Sequence, residues 1–286
     1  RADVGRLHPR GTGHVVSSKE QQRRFSLVGK RALITGGTSG IGLAVATRFA
    51  DEGASVAIVG RRSNGSSIAA DIGAEFIAAD VTSEAATHAM FDDAKQRLGG
   101  LDVLVLNAGV DPGMAPMAEY GTPAFETNLD VNLRHVWWGL VEASRHLADG
   151  GSIITTSSTT AVYKVPNVSA YAAIKEAVVS LTKSAALELA PRRIRANSVL
   201  PGTTLSEMTP PDHWEIPVME TMLPLGRHAV ADRDLVGLYQ FLASDESSYI
   251  TGQAIAADGG MTLGMSYGTL RALGAPVEFM SPPSAP

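Results

Sequence analysis

The chain has 286 residues, of which 44% are hydrophobic and 19% are charged, and this balance excludes a chain that is disordered throughout. Its formal net charge of -5 provides no overall basic field for nucleic acid, and no apolar run reaches the roughly 18 to 20 residues of a membrane span. The lack of cysteine excludes disulfides and thiol nucleophiles and agrees with a reducing compartment, so we expect a soluble cytoplasmic protein.

The two ends of the chain differ in composition from its middle. Residues 1–26 are rich in Arg, Gly, His and Ser without helical or strand period, so we expect a disordered extension there. Residues 27–264 are predicted to form one catalytic domain. Residues 265–286 are predicted to form a C-terminal segment that ends in a Pro-rich tail.

An apolar strand predicted at Arg31–Thr35 leads into a glycine-rich turn and then into a helix near Leu43. Gly36 can adopt a tight turn, Gly40 lets the backbone approach a pyrophosphate, and Gly42 allows close contact between helix and strand. The first N–H groups of the helix then face the anion. A glycine cluster alone is more often a plain turn, but the flanking strand and helix favour a dinucleotide site.

Apolar runs alternate with helical segments along the rest of the chain. The predicted strands are Arg31–Thr35, Val56–Val59, Phe76–Ala79, Val103–Leu106, Ser152–Thr156, Arg195–Val199 and Ala254–Ala257. Long amphipathic stretches lie near Thr127–Leu147 and Ala170–Leu189. This alternation predicts an α/β fold, a single-domain Rossmann-type doubly wound sheet of about seven parallel strands with helices on both faces. Ligands bind such sheets at the carboxyl ends of the strands.

The residues after the second strand bear on the choice of dinucleotide. An NAD-selective fold usually has an acid about 20 residues beyond the glycines. This chain has Gly60 there, followed by Arg61 and Arg62. Two cations without an acid at this position favour a 2′-phosphate and therefore NADP(H), with NAD(H) as the alternative. A solvated surface pair of arginines is the plainer interpretation.

Two further strand ends offer candidate cofactor contacts. After the third strand, Asp80 precedes Val81, and its carboxylate can accept a hydrogen bond from an adenine amino group. After the fourth strand, Asn107, Ala108 and Gly109 are small enough for backbone to lie against a cofactor. Each is an ordinary turn by itself, and their shared position at strand ends indicates a site.

Ser158 follows the fifth strand, and Tyr171 and Lys175 lie four residues apart on the next predicted helix. Residues at this spacing share a helix face, so the Lys175 ammonium is expected beside the Tyr171 phenol. Because a nearby cation favours the phenolate, we expect it to lower the phenol's pKa from its ordinary value of about 10. The same spacing is also common for packing and solvated charge, so the pair alone does not establish catalysis.

Five motifs occur together and in order: Thr35-Gly36-x-x-x-Gly40-x-Gly42, Asn107-Ala-Gly109, Ser158, Tyr171-x-x-x-Lys175 and Pro201-Gly202. From about Leu27 to Leu263 the chain therefore resembles a short-chain dehydrogenase/reductase of the Tyr-x-x-x-Lys type. The resemblance implies a single Rossmann-type domain. It also implies hydride transfer between a nicotinamide cofactor and a ketone or secondary alcohol.

The resemblance also implies individual roles. Ser158 would polarise the substrate oxygen, Tyr171 would act as general acid/base, and Lys175 would tune Tyr171 and bind the nicotinamide ribose. Asn132 matches the residue that holds a water in the proton relay; without the resemblance it would be a helix-interior Asn that bonds to the backbone. The expected cofactor contacts are Gly36, Thr38, Ser39, Gly40, Ile41, Gly42, Arg61, Arg62, Asp80, Val81, Asn107, Ala108, Gly109, Tyr171, Lys175, Pro201, Gly202, Thr204 and Ser206.

Two positions depart from the family pattern. Leu106 stands where the family often has Asn, and Ser206 stands where a Thr often contacts the nicotinamide carboxamide. Ser206 keeps the hydroxyl, and Thr204 is a second donor nearby. Neither departure affects the proposed proton chemistry.

The segment from Gly202 to Arg227 is predicted to be a substrate lid. Its Met208 and Trp214 are candidate substrate contacts, in addition to Ser158 and Tyr171. The segment is too apolar for an idle loop and has no cationic cluster, which favours a neutral substrate with an apolar body. Because residues 209–225 have little regular period, we expect them to be mobile without ligand and ordered with it.

The resemblance further implies a homotetramer or homodimer with interfaces on the helices near Val136–Leu147 and Ala172–Leu189. Trp137 and Trp138 fit that use, although either can be core. No histidine pair has zinc-ligand spacing, so no metal is expected, nor is a nucleic-acid or membrane partner. The alternative is a noncatalytic nucleotide-binding sensor or scaffold on the same fold, and the intact Ser, Tyr and Lys count against it.

Overall fold

The computed structural model describes residues 25–207 and 209–276. The predicted extension, apart from its last two residues, and the end of the predicted tail lie outside these ranges, as does Met208. Within them, none of the helices combines the length and the hydropathy that crossing a membrane needs.

A parallel sheet of seven strands forms the centre of the fold. The strands are β1 Arg31–Thr35, β2 Ser55–Gly60, β3 Glu75–Ala78, β4 Leu101–Leu106, β5 Leu147–Thr156, β6 Arg195–Pro201 and β9 Ala254–Ala257. Their order across the sheet is β3-β2-β1-β4-β5-β6-β9. Two short strands, β7 Thr204–Leu205 and β8 Ala229–Val230, pair separately.

Helices follow most of the strands. They are α1 Gly40–Asp51, α2 Gly65–Asp71, α3 Glu84–Leu98, α4 Thr122–Leu129, α5 His135–His146, α6 Ser169–Glu188, α7 Glu215–Met222, α8 Val236–Ala243 and α9 Tyr267–Ala272. A π-helical turn, Asp130–Arg134, joins α4 to α5, and this turn divides the predicted amphipathic stretch.

The two faces of the sheet are covered by different helices. On one face, Leu33 of β1 lies in a core with Phe91 of α3, and α5 and α6 contribute to the same core. On the other face, Ile34 lies with Phe49 of α1 and Tyr239 of α8. All five side chains are fully buried. Consecutive strand residues therefore enter opposite cores, which confirms the predicted doubly wound sheet.

The strand order reverses between β1 and β4. The chain runs outward from β1 to β3 and then returns to form β4 on the other side of β1. The loops that leave β1 and β4 consequently diverge to opposite faces and open a crevice at their carboxyl ends. A parallel sheet of this order therefore places a ligand site at Gly36 and Asn107.

The predicted lid contains more regular structure than its sequence indicated. Helix α7 occupies Glu215–Met222, although Pro217 lies within it. Proline is tolerated there because the first N–H groups of a helix have no intrahelical partner. The expectation of an irregular segment is therefore wrong for these residues.

Candidate active site

A cavity of about 750 Å³ opens at the carboxyl ends of the central strands. Most of the predicted site residues line it: Gly36, Thr38, Ser39, Gly40, Ile41, Arg61, Arg62, Asp80, Val81, Asn107, Ala108, Gly109, Ser158, Tyr171, Lys175, Pro201, Gly202, Thr204 and Ser206. Gly42, Asn132 and Trp214 are not among its described lining residues. Met208 is outside the described part of the chain. The fold thus brings motifs far apart in sequence into one cleft.

The glycine-rich turn has the geometry that its three glycines predict. Gly36 has a φ of +66°, in the left-handed region that favours glycine. A Cβ at Gly42 would lie 2.2 Å from the Gly36 carbonyl oxygen, so α1 packs too closely on the turn for any side chain. A Cβ at Gly40 would instead meet its nearest described atom, the Ser206 Cβ, only at 3.9 Å. The backbone at Gly40 is therefore open to the cavity.

The start of α1 fits an anionic ligand. Ser39 is its N-cap, and within the described chain the Ser39 side chain makes no capping hydrogen bond and the first turn has no acidic residue. The first N–H groups and the positive end of the helix dipole therefore keep their capacity to bind an anion. Gly40 and Ile41 line the cavity. These features fit the pyrophosphate of a dinucleotide.

Each of the two arginines after β2 forms an ion pair with a carboxylate, and the sequence analysis predicted neither pair. Arg61 Nη1 lies 3.6 Å from Asp80 Oδ2. Both terminal nitrogens of Arg62 donate to the Glu207 carboxylate, one of them over 3.3 Å. The hydrogen bond from the Thr82 backbone is the largest cause of a lowered pKa at Asp80. The cations expected to face a 2′-phosphate therefore already have anionic partners.

Asn107 connects three strands at the centre of the crevice. Its backbone N–H and that of Ala108 donate to Thr35 Oγ1 over 3.0 and 3.1 Å. Its side-chain Nδ2 donates to the Thr35 carbonyl over 3.3 Å, and its Oδ1 accepts from Thr156 Oγ1 over 3.1 Å. Because this amide links β1, β4 and β5, it fixes the position of the Asn107–Gly109 loop at the cavity wall.

Ser158, Tyr171 and Lys175 meet at the end of β5. Ser158 begins a short turn in which its Oγ accepts from the Thr160 N–H over 3.2 Å, and its side chain is close enough to Tyr171 to lower the pKa of that phenol. On α6, Lys175 Nζ lies 5.4 Å from the centroid of the Tyr171 ring. The same Nζ donates to the Thr156 carbonyl over 3.2 Å. The predicted neighbourhood of the three side chains is thus present.

Burial dominates the ionisation of this group. It raises the pKa of Tyr171 above its ordinary value, with the Asp111 carboxylate adding to the rise and the Ser158 hydrogen bond opposing it. Burial also lowers the pKa of Lys175 to about 8, against the opposing effect of Asp111. The pKa of Tyr171 is therefore raised, whereas the spacing of Lys175 predicted a lowered pKa, because the loss of water around the phenolate disfavours the charged form.

Asn132 lies behind the cavity wall in the π-helical turn and is only 1% exposed. Its Nδ2 donates to the Val110 carbonyl over 2.8 Å, and its Oδ1 accepts from the Val110 N–H over 3.2 Å. A Cβ at Gly109 would lie 2.9 Å from that Oδ1 and 3.5 Å from Lys175 Nζ. The Asn132 amide therefore holds the loop after β4 beside the lysine. Its predicted role in a water relay stays a prediction.

The departure at Leu106 has a structural counterpart in α5. Leu106 is 1% exposed, and a Cβ at Gly139 would lie 2.5 Å from its Cδ2. The leucine thus fills the space that the glycine leaves on the facing helix. This contact is a matter of packing between β4 and α5, and it does not involve Ser158, Tyr171 or Lys175.

Trp214 is 64% exposed, and its ring lies 5.9 Å from that of His213. It is not among the described residues that line the cavity, and its predicted contact with substrate stays a prediction. Met219 of the predicted lid lines the cavity. Residues that the sequence pattern did not single out line it as well, namely Asp111, Met114, Val165, Val168, Glu215 and Met261. They lie on connecting segments and helix starts, where no motif distinguishes them from ordinary surface.

Comparison with known proteins agrees with this geometry. The family model described as Enoyl-(Acyl carrier protein) reductase matches residues 36–262. L-2,3-butanediol dehydrogenase from Corynebacterium glutamicum is 35% identical over 255 residues, which cover 81% of this chain and 98% of the relative.

Two solved structures are similar over most of their length. A short-chain type dehydrogenase/reductase from Mycobacterium marinum shares 40% identity with a TM-score of 0.79, covering 84% of this chain and 98% of that one. A short chain dehydrogenase from Burkholderia cenocepacia J2315 in complex with NADP shares 35% identity with a TM-score of 0.79, covering 82% and 98%. The chain belongs to the short-chain dehydrogenase/reductase family, whose members are oxidoreductases that transfer hydride between a nicotinamide cofactor and a CH–OH or C=O group.

Proposed function

We propose that this oxidoreductase prefers NADP(H) and acts on a neutral ketone or secondary alcohol with an apolar body, with Tyr171 as general acid/base. The observation that carries this proposal is the meeting of Ser158, Tyr171 and Lys175 on the wall of the same cavity as the glycine-rich turn. That arrangement puts a proton donor within reach of a substrate beside a dinucleotide. The catalytic domain is proposed to span residues 27–264.

The nicotinamide, when bound, supplies or accepts the hydride. In the reducing direction the Tyr171 hydroxyl donates its proton to the developing alkoxide, and the Ser158 hydroxyl donates a hydrogen bond to the same oxygen. The raised pKa of Tyr171 keeps the proton on the phenol before reaction. Lys175, fixed by the Thr156 carbonyl, holds positive charge beside the phenol as the phenolate forms.

Arg61 and Arg62 support the choice of NADP(H). They line the cavity at the end of β2, where an NAD-selective fold usually has an acid. The relative from Burkholderia cenocepacia was solved with NADP. NAD(H) is the alternative, and the pairing of both arginines with carboxylates is the observation in its favour. The ratio of the two dissociation constants distinguishes them.

The cavity lining supports a neutral substrate. Apolar side chains line it from several segments: Met114, Val165, Val168, Met219 and Met261. Asp111 and Glu215 also line it, and Asp111 is close enough to raise the pKa of both Tyr171 and Lys175. These two acids disfavour an anionic substrate group near the reacting oxygen. A relative named for butanediol agrees with a secondary alcohol.

Assembly and location are further parts of the proposal. Trp137 on α5 is 53% exposed and Leu187 on α6 is 80% exposed, which supports a homotetramer or homodimer through these helices. Trp138, by contrast, is half-buried. A cytoplasmic location is proposed from the cysteine-free composition.

The decisive experiment is turnover by the purified full chain with NADPH and NADH across a panel of ketones and alcohols. We expect cofactor-dependent turnover of at least one neutral apolar ketone or alcohol. Cofactor binding without any turnover would instead favour the noncatalytic sensor or scaffold.

A further inference from the structure

Glu207 joins two segments that are far apart in the chain. It follows β7, and its carboxylate receives both terminal nitrogens of Arg62, which follows β2 and lies 145 residues earlier. Both residues line the cleft, as do Gly40 and Ser206. The ion pair therefore connects the end of β2 to the start of the lid across the cleft.

The fork of Arg62 is well matched to its partner. A bidentate guanidinium–carboxylate pair uses the same donor geometry that would receive a phosphate. A 2′-phosphate can therefore gain these donors only after the Glu207 carboxylate has left them. The Arg62 side chain is 44% exposed and that of Glu207 is 67% exposed. Because exposed ion pairs are weak, a 2′-phosphate can replace the Glu207 carboxylate at a small cost in free energy.

Arg61 is paired with its carboxylate less closely than Arg62 is. Its carboxylate partner, Asp80, lies at 3.6 Å, and one Asp80 oxygen is already occupied by the Thr82 N–H and hydroxyl over 3.0 and 2.9 Å. Arg61 is thus held loosely, whereas Arg62 is held by both nitrogens. Glu207, and not Asp80, is the stronger competitor for a cation in this part of the cleft.

We propose that Glu207 is a specificity-determining residue for the cofactor, because its carboxylate competes with the 2′-phosphate of NADP(H) for the Arg62 guanidinium. The proposal rests on the proposed cofactor site. NAD(H), which has a 2′-hydroxyl, leaves the Arg62–Glu207 pair intact. NADP(H) breaks the pair and also meets the negative charge of Glu207. Glu207 thereby reduces the preference for NADP(H) over NAD(H). Without Glu207, Arg61 and Arg62 would produce a larger preference.

Titration calorimetry of the full chain with 2′,5′-ADP and 5′-AMP tests this proposal, because the two probes differ only in the 2′-phosphate. Glu207→Gln keeps the side-chain shape and removes the charge. We expect it to raise the ratio of the 5′-AMP to the 2′,5′-ADP dissociation constant by about three- to tenfold. Asp212→Asn removes an exposed carboxylate from the same segment, and we expect it to leave that ratio unchanged.

The Arg62→Ala background identifies the mechanism. There, Glu207→Gln has no cation to release and removes only the repulsion between Glu207 and the 2′-phosphate, so we expect the ratio to rise clearly less than it does with Arg62 present. The proposal is overturned if Glu207→Gln alone leaves the ratio unchanged, or if the ratio rises equally with and without Arg62. Neither outcome would contradict the proposed cofactor site. A wild-type chain that binds neither nucleotide overturns the cofactor site and this proposal together.

Discussion

Lys175 Nζ donates a hydrogen bond of 3.2 Å to the Thr156 carbonyl at the end of β5, while it lies 5.4 Å from the centroid of the Tyr171 ring. The lysine is therefore held by the sheet and not by the phenol. Because Lys175 is 4% exposed, its ammonium is stabilised by few groups other than that carbonyl. This explains why burial lowers its pKa to about 8.

The lowered pKa of Lys175 predicts a pH-dependent stability. Between pH 8 and its ordinary pKa of 10.5, the unfolded chain binds more protons at this lysine than the folded chain, so its contribution to the free energy of unfolding rises with pH. Below pH 8 the full penalty of the buried charge is present. Lys175→Met removes that penalty, and we expect it to stabilise the fold by about 1 to 3 kcal/mol near pH 7.

Chemical denaturation from pH 7 to 10.5 measures this effect, and the advantage of Lys175→Met is expected to shrink across that range. Lys183→Met on the exposed side of α6 is the matched control and is expected to show no such trend. A constant difference between Lys175→Met and the parent at every pH would contradict the burial account.

A Gly→Ala substitution is expected to have opposite effects on stability at two helix positions, Gly42 in α1 and Gly237 in α8. A Cβ at Gly42 would lie 2.2 Å from the Gly36 carbonyl oxygen, so Gly42→Ala is expected to destabilise the fold by about 1 to 3 kcal/mol and to weaken dinucleotide binding. Gly237 in α8 is exposed, and no described atom lies within 4 Å of its Cβ position. Gly237→Ala is therefore expected to stabilise by about 0.5 to 1 kcal/mol. Thermal unfolding of both variants checks this, and equal shifts would refute the close-packing interpretation.

Arg61 offers a direct test of the preference for NADP(H). Its guanidinium is 66% exposed and only loosely paired with Asp80, so it is available to a 2′-phosphate. We expect Arg61→Ala to weaken NADPH binding by about 1.5 kcal/mol and to leave NADH binding nearly unchanged. Arg271→Ala, which removes an exposed arginine from α9, is the control. A parent enzyme that binds NADH more tightly than NADPH would overturn the assignment.

The strand pattern was predictable because a buried parallel strand is apolar along its whole length. Strands β1 and β9 have the predicted bounds, Arg31–Thr35 and Ala254–Ala257. Strand β5 begins at Leu147, earlier than the predicted Ser152, because Gly150 resembles a loop residue and has a φ of +82°. Such a start depends on pairing with β4, which a single-strand pattern does not contain.

The neighbourhood of Tyr171 and Lys175 was predictable for a similar reason, since residues four apart share a helix face. The burial of Tyr171 and Lys175 depends on how α6 packs, and no local pattern encodes it. The Arg62–Glu207 pair was also beyond sequence reasoning, because a charge pair across 145 residues depends on two loop positions. Trp214 does not line the cavity in the described chain, and its predicted contact with substrate stays a prediction.

The lid is expected to become ordered when ligands bind. Among its described residues, none of those in α7 is fully buried, and the Thr221 carbonyl near its end accepts from Thr269 Oγ1 over 3.0 Å. A helix without a fully buried side chain can open to release product and close to exclude water. Hydrogen exchange across residues 209–225 is expected to slow when cofactor and substrate are both present. Slow exchange in the free protein with no change on binding would assign the segment to ordinary packing.

The most direct test of the account is the turnover of Tyr171→Phe, measured together with its cofactor dissociation constant. The substitution removes one hydroxyl and keeps the ring, so cofactor binding and thermal stability are expected to stay close to the parent values. Because the variant has no acid/base group at this position, turnover is expected to fall by at least about 10²- to 10⁴-fold. Substantial turnover in a folded, cofactor-binding Tyr171→Phe protein would contradict the assignment of the proton transfer to Tyr171.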